Sequence, residues 1–555
     1  MIPVAFQGCR GWLHPANGAA AHGLVLCPPF GYDLICSQAG LRVLAEQIAA
    51  SGTPVLRFDY PGTGDSAGDE APNRLADWLA GIEAACDWMR ATLGLASVSL
   101  GGLKLGALLA AASAARRPDT MAEIVLLAPV WSGRGYGREL LLVARAAGET
   151  EAKPDWLEAA GFRLHESDVA ALRGLDLAAL LRQARPGRIL LVEPPKPVPT
   201  PVPDLGAPVT AMPFDGYAAF LRHSHLSIPP RSLAGRIGQW LTGEPARPGR
   251  PGEVTDRLPV APEVEERVLR FGADDHLVGV LCRPATPQPT GVLILNTGAN
   301  HHIGNGRIAV RMARRLAAIG FASLRMDSDG IGESGTVAEA ERAEALFGDG
   351  PTLDALAGLD ALERQGFRRC VVVGVCSGAH HALQAALRDP RAVGLALANL
   401  PAFDRAAGGA PDLDGGPPPG EHRLLRKPRM ALRRAVAEAD RFLAERLGVE
   451  PGLDRAGRWL RRLQGRGATI LLAYSARDRS LRELRAHFGR GGRHLPRRAP
   501  IRTLVLGGSD HAVNPRPMQD ELIAAIEEDL IRYHARDDIN YLAQNLAAAS
   551  PINSK

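Results

Sequence analysis

The residues best suited to covalent chemistry lie in the second half of the chain, where an apolar run ends in a glycine-flanked cysteine. The run Cys370–Val375 leads into the pattern Gly374-x-Cys376-x-Gly378. A strand that turns sharply into a helix needs residues with almost no side chain two positions either side of an exposed nucleophile. The N-terminus of the following helix favours a thiolate. The pattern therefore predicts Cys376 as a nucleophile; Ser377 is less favoured, because the residues two positions from it are not glycines.

Two further apolar runs end close to an acid and a histidine. The run Thr469–Tyr474 is followed by Asp478, and the run Arg502–Leu506 is followed by His511. A histidine beside a nucleophile acts first as a general base and then as a general acid, and a carboxylate orients it. We predict a Cys376–His511–Asp478 triad; Asp510 remains the competing acid.

Acyl chemistry also needs hydrogen-bond donors for the developing oxyanion. The backbone N–H of Ser377 is one predicted donor. The backbone N–H of Ala299, in the loop after the run Val292–Thr297, is the other. His301 and His302 in the same loop are possible substrate contacts, and exposed loop histidines are an equally good interpretation.

An internal repeat sets the domain organisation. At a constant offset of 268, segments 43–66 and 311–334 are identical at ten of 24 positions, including an L-R-x-D-x-x-G-x-G-x-S core. A stretch rich in Pro and Gly lies between the copies and is typical of a linker. The predicted organisation is a first domain over residues 1–243, a linker over 244–262, a second domain over 263–535 and a C-terminal tail over 536–555.

Each repeat alternates short apolar runs with helical patterns. Strands that are apolar throughout, separated by helices, predict an α/β fold with a doubly wound, mostly parallel sheet. An insertion in each repeat, Trp131–Gly187 and Phe403–Gly467, is predicted to form a helical lid. Six basic residues lie between positions 423 and 434. One interpretation is a lid that attracts an acidic substrate, a carrier-linked substrate or a membrane surface. The other is a solvated helix face.

The first repeat has the same glycine pattern without the same chemistry. Its turn is Gly102-x-Lys104-x-Gly106. An acyl group on lysine would be a stable amide, so we predict that this repeat is an inactive pseudoenzyme. Lys104 either binds a ligand of the same class or has only a structural role.

Composition excludes several classes of function. The chain is 46% hydrophobic and 23% charged, and its net charge of +5 is small for 555 residues. This argues against a nucleic-acid partner. No apolar run reaches the roughly 18 residues of a membrane helix, and no signal peptide is recognised. Seven cysteines without a CxxC pair suit reduced thiols, so we predict a cytoplasmic protein with no metal and no cofactor.

Six motifs resemble known hydrolases. They are CPPFGY (27–32), LRFDYPGTGDS (56–66), GLKLGA (102–107), SGRGYGREL (132–140), NTGANHHIGNGRIAVRMARRLAA (296–318) and GVCSGA (374–379). They resemble α/β-hydrolase-fold proteins of the serine aminopeptidase S33 type, in particular hydrolases associated with the exosortase A system. The resemblance covers residues 5–240 and 264–535. It implies two tandem α/β-hydrolase domains and a link to exopolysaccharide pathways.

Three functions remain open from the sequence. The first is hydrolysis of a small-molecule or carrier-linked ester or thioester through a Cys376 acyl-enzyme. The second is acyl transfer by the same triad. The third is a non-catalytic scaffold.

Overall fold

The computed structural model describes most of the chain. It covers residues 1–146, 155–195, 202–241, 254–335, 346–403, 455–489 and 501–549, with single gaps at positions 19 and 119, together with residues 492, 493 and 495. Most of the predicted second lid, including its six basic residues, lies outside the described residues. Within the described part, no helix combines the length and apolarity needed to cross a membrane.

The chain divides into two compact units. The first contains Met1–Gln288 and Gly298–Ala343, and the second contains Pro289–Thr297 and Glu344–Lys555. The first unit therefore includes residues on both sides of the predicted linker. The domain boundaries at 243 and 263 stay a prediction.

The first repeat folds around an eight-stranded sheet. Its strands are β1 (Ile2–Phe6), β2 (Cys9–His14), β3 (His22–Cys27), β4 (Val55–Phe58), β5 (Ser97–Leu103), β6 (Glu123–Leu127), β9 (Arg188–Glu193) and β10 (Val209–Pro213), with β7 (Trp156–Ala159) and β8 (Phe162–His165) forming a separate hairpin. Their order in the sheet is β1-β2-β4-β3-β5-β6-β9-β10. All pairs from β4 to β10 are parallel, and only β1 and β2 are antiparallel additions at one edge.

The strands of the second repeat form two groups. In the first compact unit β11 (Leu258–Ala261), β12 (Val264–Phe271), β13 (Leu277–Pro284) and β15 (Ser323–Asp327) pair antiparallel in that order. In the second unit β14 (Thr290–Ile294), β16 (Arg369–Val375), β17 (Ala392–Ala398), β18 (Thr469–Ser475) and β19 (Ile501–Leu506) pair in parallel. These strands lie within a few residues of the runs read from the sequence.

Helices connect the strands. They are α1 (Tyr32–Ala50), α2 (Arg74–Leu93), α3 (Leu105–Arg116), α4 (Gly133–Ala146), α5 (Glu166–Arg173), α6 (Leu177–Ala184), α7 (Tyr217–Phe220), α8 (Arg231–Leu241), α9 (Ile308–Ala318), α10 (Gly350–Arg364), α11 (Ser377–Arg388), α12 (Arg455–Gly465), α13 (Ser480–Phe488) and α14 (Arg516–Ala549). The predicted first lid thus contains α4 to α6 and the β7–β8 hairpin.

Both faces of the first sheet are buried. Successive residues of a strand point to opposite faces of the sheet, so neighbouring residues of one strand show what covers each face. Along β3, Leu24 and Leu26 belong to the hydrophobic cluster that includes residues of α1 and α8. Val25, between them, belongs to the cluster that includes residues of α2, α3 and α6. A parallel sheet with helices on both faces is the predicted doubly wound α/β architecture, which is confirmed.

The repeated motif forms the same turn twice. In the first copy, the Asp59 carboxylate accepts from the Asp65 N–H at 2.9 Å, and the Ser66 hydroxyl donates to the Asp59 carbonyl at 2.6 Å. In the second copy the corresponding distances, at the same offset of 268, are 2.9 Å and 2.7 Å. The last glycine of each motif has a left-handed φ of 48° or 49°, and a Cβ there would lie 2.0 Å or 2.2 Å from the aspartate side chain. The spacing of the motif is therefore set by this turn.

Candidate active site

Cys376 occupies the sharp turn between β16 and α11 that the sequence predicts. Its backbone is strained, with φ 56° and ψ −116°. A Cβ on Gly374 would lie 2.1 Å from the Gly378 carbonyl carbon, and one on Gly378 would lie 2.4 Å from the Asn296 oxygen. Larger residues at either position would clash with backbone, so the two glycines make the turn possible. Cys376 is the residue immediately before α11 and is 5% exposed.

The structure brings the three predicted triad residues together in the second compact unit. His511 Nδ1 lies 2.8 Å from Asp478 Oδ2, and the His511 ring also hydrogen-bonds to Cys376. Burial disfavours the imidazolium, but the hydrogen bonds to Asp478 and Cys376 outweigh it and raise the pKa of His511 to about 10. His511 is therefore a proton donor at neutral pH.

The acid of the triad is held as a carboxylate. Burial favours its neutral form, but hydrogen bonds from His511 and Ser480 lower the pKa of Asp478 to about 2. The competing acid, Asp510, has a different role, because its carboxylate accepts from the backbone N–H of Asn514 at 2.9 Å. Of the two candidate acids, Asp478 is the one in contact with the histidine.

The predicted oxyanion donors lie at a helix start and in a loop. Ser377 is buried and is the first residue of α11. Ala299 is half-buried in the loop that follows β14. Both residues stay predicted donors.

The two loop histidines are buried, which the sequence did not indicate. His302 Nδ1 lies 2.7 Å from Asp327 Oδ2, and its Nε2 lies 2.6 Å from Asp65 Oδ2. Burial is outweighed by these two carboxylates, which raise the pKa of His302 well above its usual range. With both ring nitrogens bound, His302 does not fit the predicted substrate contact.

His301 has a different environment. Burial, with the neighbouring His302, lowers its pKa to about 4, so its ring is neutral. Neither of its ring nitrogens has a hydrogen-bond partner among the described residues. His301 stays a predicted substrate contact.

The first repeat reproduces the turn, and the lysine at the nucleophile position forms an ion-pair cluster. Lys104 has φ 50° and ψ −114°, close to the values of Cys376. Its Nζ lies 2.8 Å from Asp33 Oδ2 and 3.0 Å from Glu139 Oε1. Burial opposes the charge, yet the two carboxylates raise the pKa of Lys104, so the ammonium is not a nucleophile. Both the inactivity of the first repeat and ligand binding by Lys104 stay predictions.

Asn399 is a residue of the site that the sequence reading missed. It follows β17, is fully buried, and has a left-handed φ of 47°. Its side-chain amide donates to Ser475 Oγ and to the His511 carbonyl, both at 2.8 Å, and its Oδ1 accepts from the Ser475 N–H at 2.8 Å. Asn399 therefore ties the end of β18 to the loop that carries His511. The available signal was an amide side chain directly after a buried apolar run.

Replacing Asn399 is expected to weaken both stability and catalysis. Asn399→Ala leaves buried polar groups unpaired and should lower the free energy of unfolding by about 2 kcal/mol in urea titrations. It should also lower kcat more than it raises KM, because the His511 loop loses its anchor. Asn399→Gly separates the two causes, since glycine relieves the positive φ but restores no hydrogen bond. If Asn399→Gly recovered kcat fully, backbone strain rather than anchoring would be the cause.

Comparison with known proteins adds a family match. The model of the serine aminopeptidase S33 family matches residues 38–157, in the first repeat. Among curated proteins, no relative matches the chain. Similar solved structures each cover about one repeat of this chain. Est1E from Butyrivibrio proteoclasticus with ferulic acid bound is 17% identical over 43% of this chain and 98% of its own, with a TM-score of 0.34. The Pyrococcus furiosus esterase Pf2001 is 14% identical over 48% and 93%, with a TM-score of 0.32.

The sheet topology, the strained turn after its central strand and the S33 match define an α/β-hydrolase fold. The match to a hydrolase family supports a hydrolase activity for this chain.

Proposed function

We propose that the protein hydrolyses an ester or thioester through an acyl-enzyme on Cys376. The contact of His511 with both Cys376 and Asp478 at the strained turn is the observation that carries the proposal. A nucleophile, a histidine that reaches it and an acid that orients the histidine are the minimum set for covalent acyl chemistry.

The reaction proceeds in two halves. The Cys376 sulfur attacks the acyl carbon, and a carbon–sulfur bond forms as the carbonyl electrons move onto oxygen. The N–H of Ser377 is a proposed donor to that oxygen. The tetrahedral species collapses, the bond to the leaving group breaks, and His511 gives its proton to the departing alkoxide or thiolate.

Deacylation returns the enzyme to its starting state. Neutral His511 removes a proton from water, which attacks the thioester and releases a carboxylic acid and the Cys376 thiolate beside a protonated histidine. Asp478 stabilises the imidazolium in both halves.

The substrate class is a small-molecule or carrier-linked acyl compound. The resemblance of the six motifs to exosortase-associated hydrolases supports an acyl group connected with exopolysaccharide synthesis or protein sorting. Hydrolysis and acyl transfer share the first half-reaction. They differ in the acceptor of the acyl group, which is water in hydrolysis and another nucleophile in acyl transfer.

A substrate series tests the proposal. The full chain is incubated with p-nitrophenyl esters and matched thioesters from acetyl to decanoyl, with and without hydroxylamine as acyl acceptor. We expect release of the leaving group and an acyl adduct on the Cys376 peptide by mass spectrometry. Release that requires hydroxylamine would indicate acyl transfer. Absence of turnover and of any adduct across the series would refute the proposal.

A further inference from the structure

The two copies of the repeated motif exchange ion pairs within the first compact unit. Arg57 of the first copy donates to Glu333 of the second at 3.0 Å and 2.6 Å. Arg325 of the second copy donates to Asp65 of the first at 3.1 Å and 2.9 Å. Each arginine and each acid occupies the same motif position as its counterpart, at the offset of 268. The contact is therefore reciprocal.

Side chains of α1 extend the exchange from the first repeat. Gln38 Nε2 donates to Glu333 Oε1 at 2.6 Å, and Arg42 donates to the Gly335 carbonyl at 2.8 Å. Both partners belong to the second motif or follow it directly. The first helix of the first repeat thus binds the motif turn of the second.

The residues that begin α9 make the opposite contact. The Arg307 guanidinium donates to the carbonyls of Gly62, Gly64 and Ser66 at 2.9, 2.8 and 2.9 Å. Arg314, seven residues later in α9, donates to the Ser66 carbonyl at 3.1 Å. The second repeat therefore binds the motif turn of the first repeat, just as the first repeat binds the motif turn of the second.

His302 lies at the centre of this exchange. It is hydrogen-bonded to the acid of the first motif, Asp65, and to the aspartate of the second, Asp327. Its backbone N–H also donates to Asp327 at 2.7 Å. The loop from Gly298 to Arg307 is thus fixed at His302 by both motifs and at Arg307 by the first motif.

Burial makes these pairs obligatory. The side chains of Arg325 and Glu333 are inaccessible, and those of Arg57 and Asp65 are 6% and 3% exposed. A buried charge that loses its partner is strongly destabilising. The acid of each motif is thus buried against the arginine of the other motif, with His302 as a further partner of Asp65 and Gln38 as a further partner of Glu333.

We infer that the L-R-x-D-x-x-G-x-G-[DE]-S motif is a mutual-recognition surface whose partner is a second copy of the same kind of repeat. In this chain, the first repeat supplies that partner and holds the loop 298–307. A contact in which residue i binds j and j binds i is the isologous contact of a symmetric homodimer. The tandem arrangement provides it inside one polypeptide, which gives the first repeat, predicted to be inactive, a function of its own.

Hydrogen exchange of the full chain tests this inference in both directions. Asp65→Asn removes a charge from the first repeat only, and we expect amides in peptides covering 298–310 to exchange about tenfold faster. Arg307→Lys alters the second repeat only, and we expect faster exchange in peptides covering 59–70. Asp65→Glu keeps the charge and provides the comparison if Asp65→Asn does not fold.

A double-mutant cycle supplies the second readout. Arg57→Met and Glu333→Gln should each lower Tm, and the double variant should lose little more than the worse single variant. The exposed pair Arg257–Glu265 is the control, with side chains 62% and 39% exposed; Glu265→Gln should leave Tm unchanged. Faster exchange confined to the mutated repeat, or additive losses of Tm at Arg57 and Glu333, would overturn the inference. Neither readout depends on the chemistry of Cys376.

Discussion

Cys376→Ala is expected to lower kcat/KM for ester hydrolysis by at least about a thousandfold, because removal of a nucleophile leaves only binding and oxyanion stabilisation. The other cysteines offer no replacement. Burial raises the pKa of each remaining thiol, to about 12 for Cys9, Cys36, Cys86 and Cys370. Steady-state kinetics on the best substrate of the series would measure the loss.

Cys370→Ala is the matched control for this variant. Cys370 lies in β16, the strand that leads to the nucleophile, six residues before Cys376, and is fully buried. We expect its replacement to leave kcat/KM within about threefold of the native value, since the substitution leaves the residues of the proposed triad unchanged. Chloroacetamide labelling with peptide mapping should modify Cys376 selectively and more slowly in His511→Ala. Label on another cysteine, or full activity in Cys376→Ala, would exclude the acyl-enzyme.

The turn around Cys376 could be predicted because its requirements are local. Gly374 and Gly378 are dictated by backbone approach within a few residues, and such constraints are visible in a short pattern. Asp478 and His511 followed from the rule that strand ends in a parallel sheet meet at one edge. The bounds of the strands differ from the predicted ones by a few residues, as hydrogen-bond pairing rather than composition decides where a strand ends.

The remaining features depend on residues far apart in the chain. Arg57 and Glu333 are 276 residues apart, so no window of sequence could reveal that each copy of the motif binds the other copy. His302 was open to interpretation as an exposed loop residue because its two carboxylate partners come from different copies of the motif. Asn399 acts through buried contacts with two later loops, and only the packing of those loops shows its role.

Asp478→Asn is expected to lower kcat by about 1,000- to 10,000-fold, since the histidine loses the group that stabilises its protonated form. It should also move the alkaline limb of the pH–rate profile to lower pH. In the native protein the pKa of His511 is raised from 6.5 to about 10, so its proton-donor role is lost only as pH rises through about 10. Without the carboxylate, burial still lowers this pKa, and the donor is lost earlier. The same sign holds for stability: the raised pKa of His511 contributes fully below pH 6.5 and ceases to contribute as pH rises through about 10.

Asp510→Asn separates the two candidate acids by the same measurement. The Asp510 carboxylate accepts from Asn514, so its neutral replacement removes a loop contact but leaves the Asp478–His511 pair intact. We expect a modest loss of stability and an alkaline limb at the native position. A limb that moved in Asp510→Asn and stayed in place in Asp478→Asn would assign the orienting role to Asp510. Movement in both variants would mean that both carboxylates stabilise the protonated form of His511, so that each contributes to the pKa of the histidine.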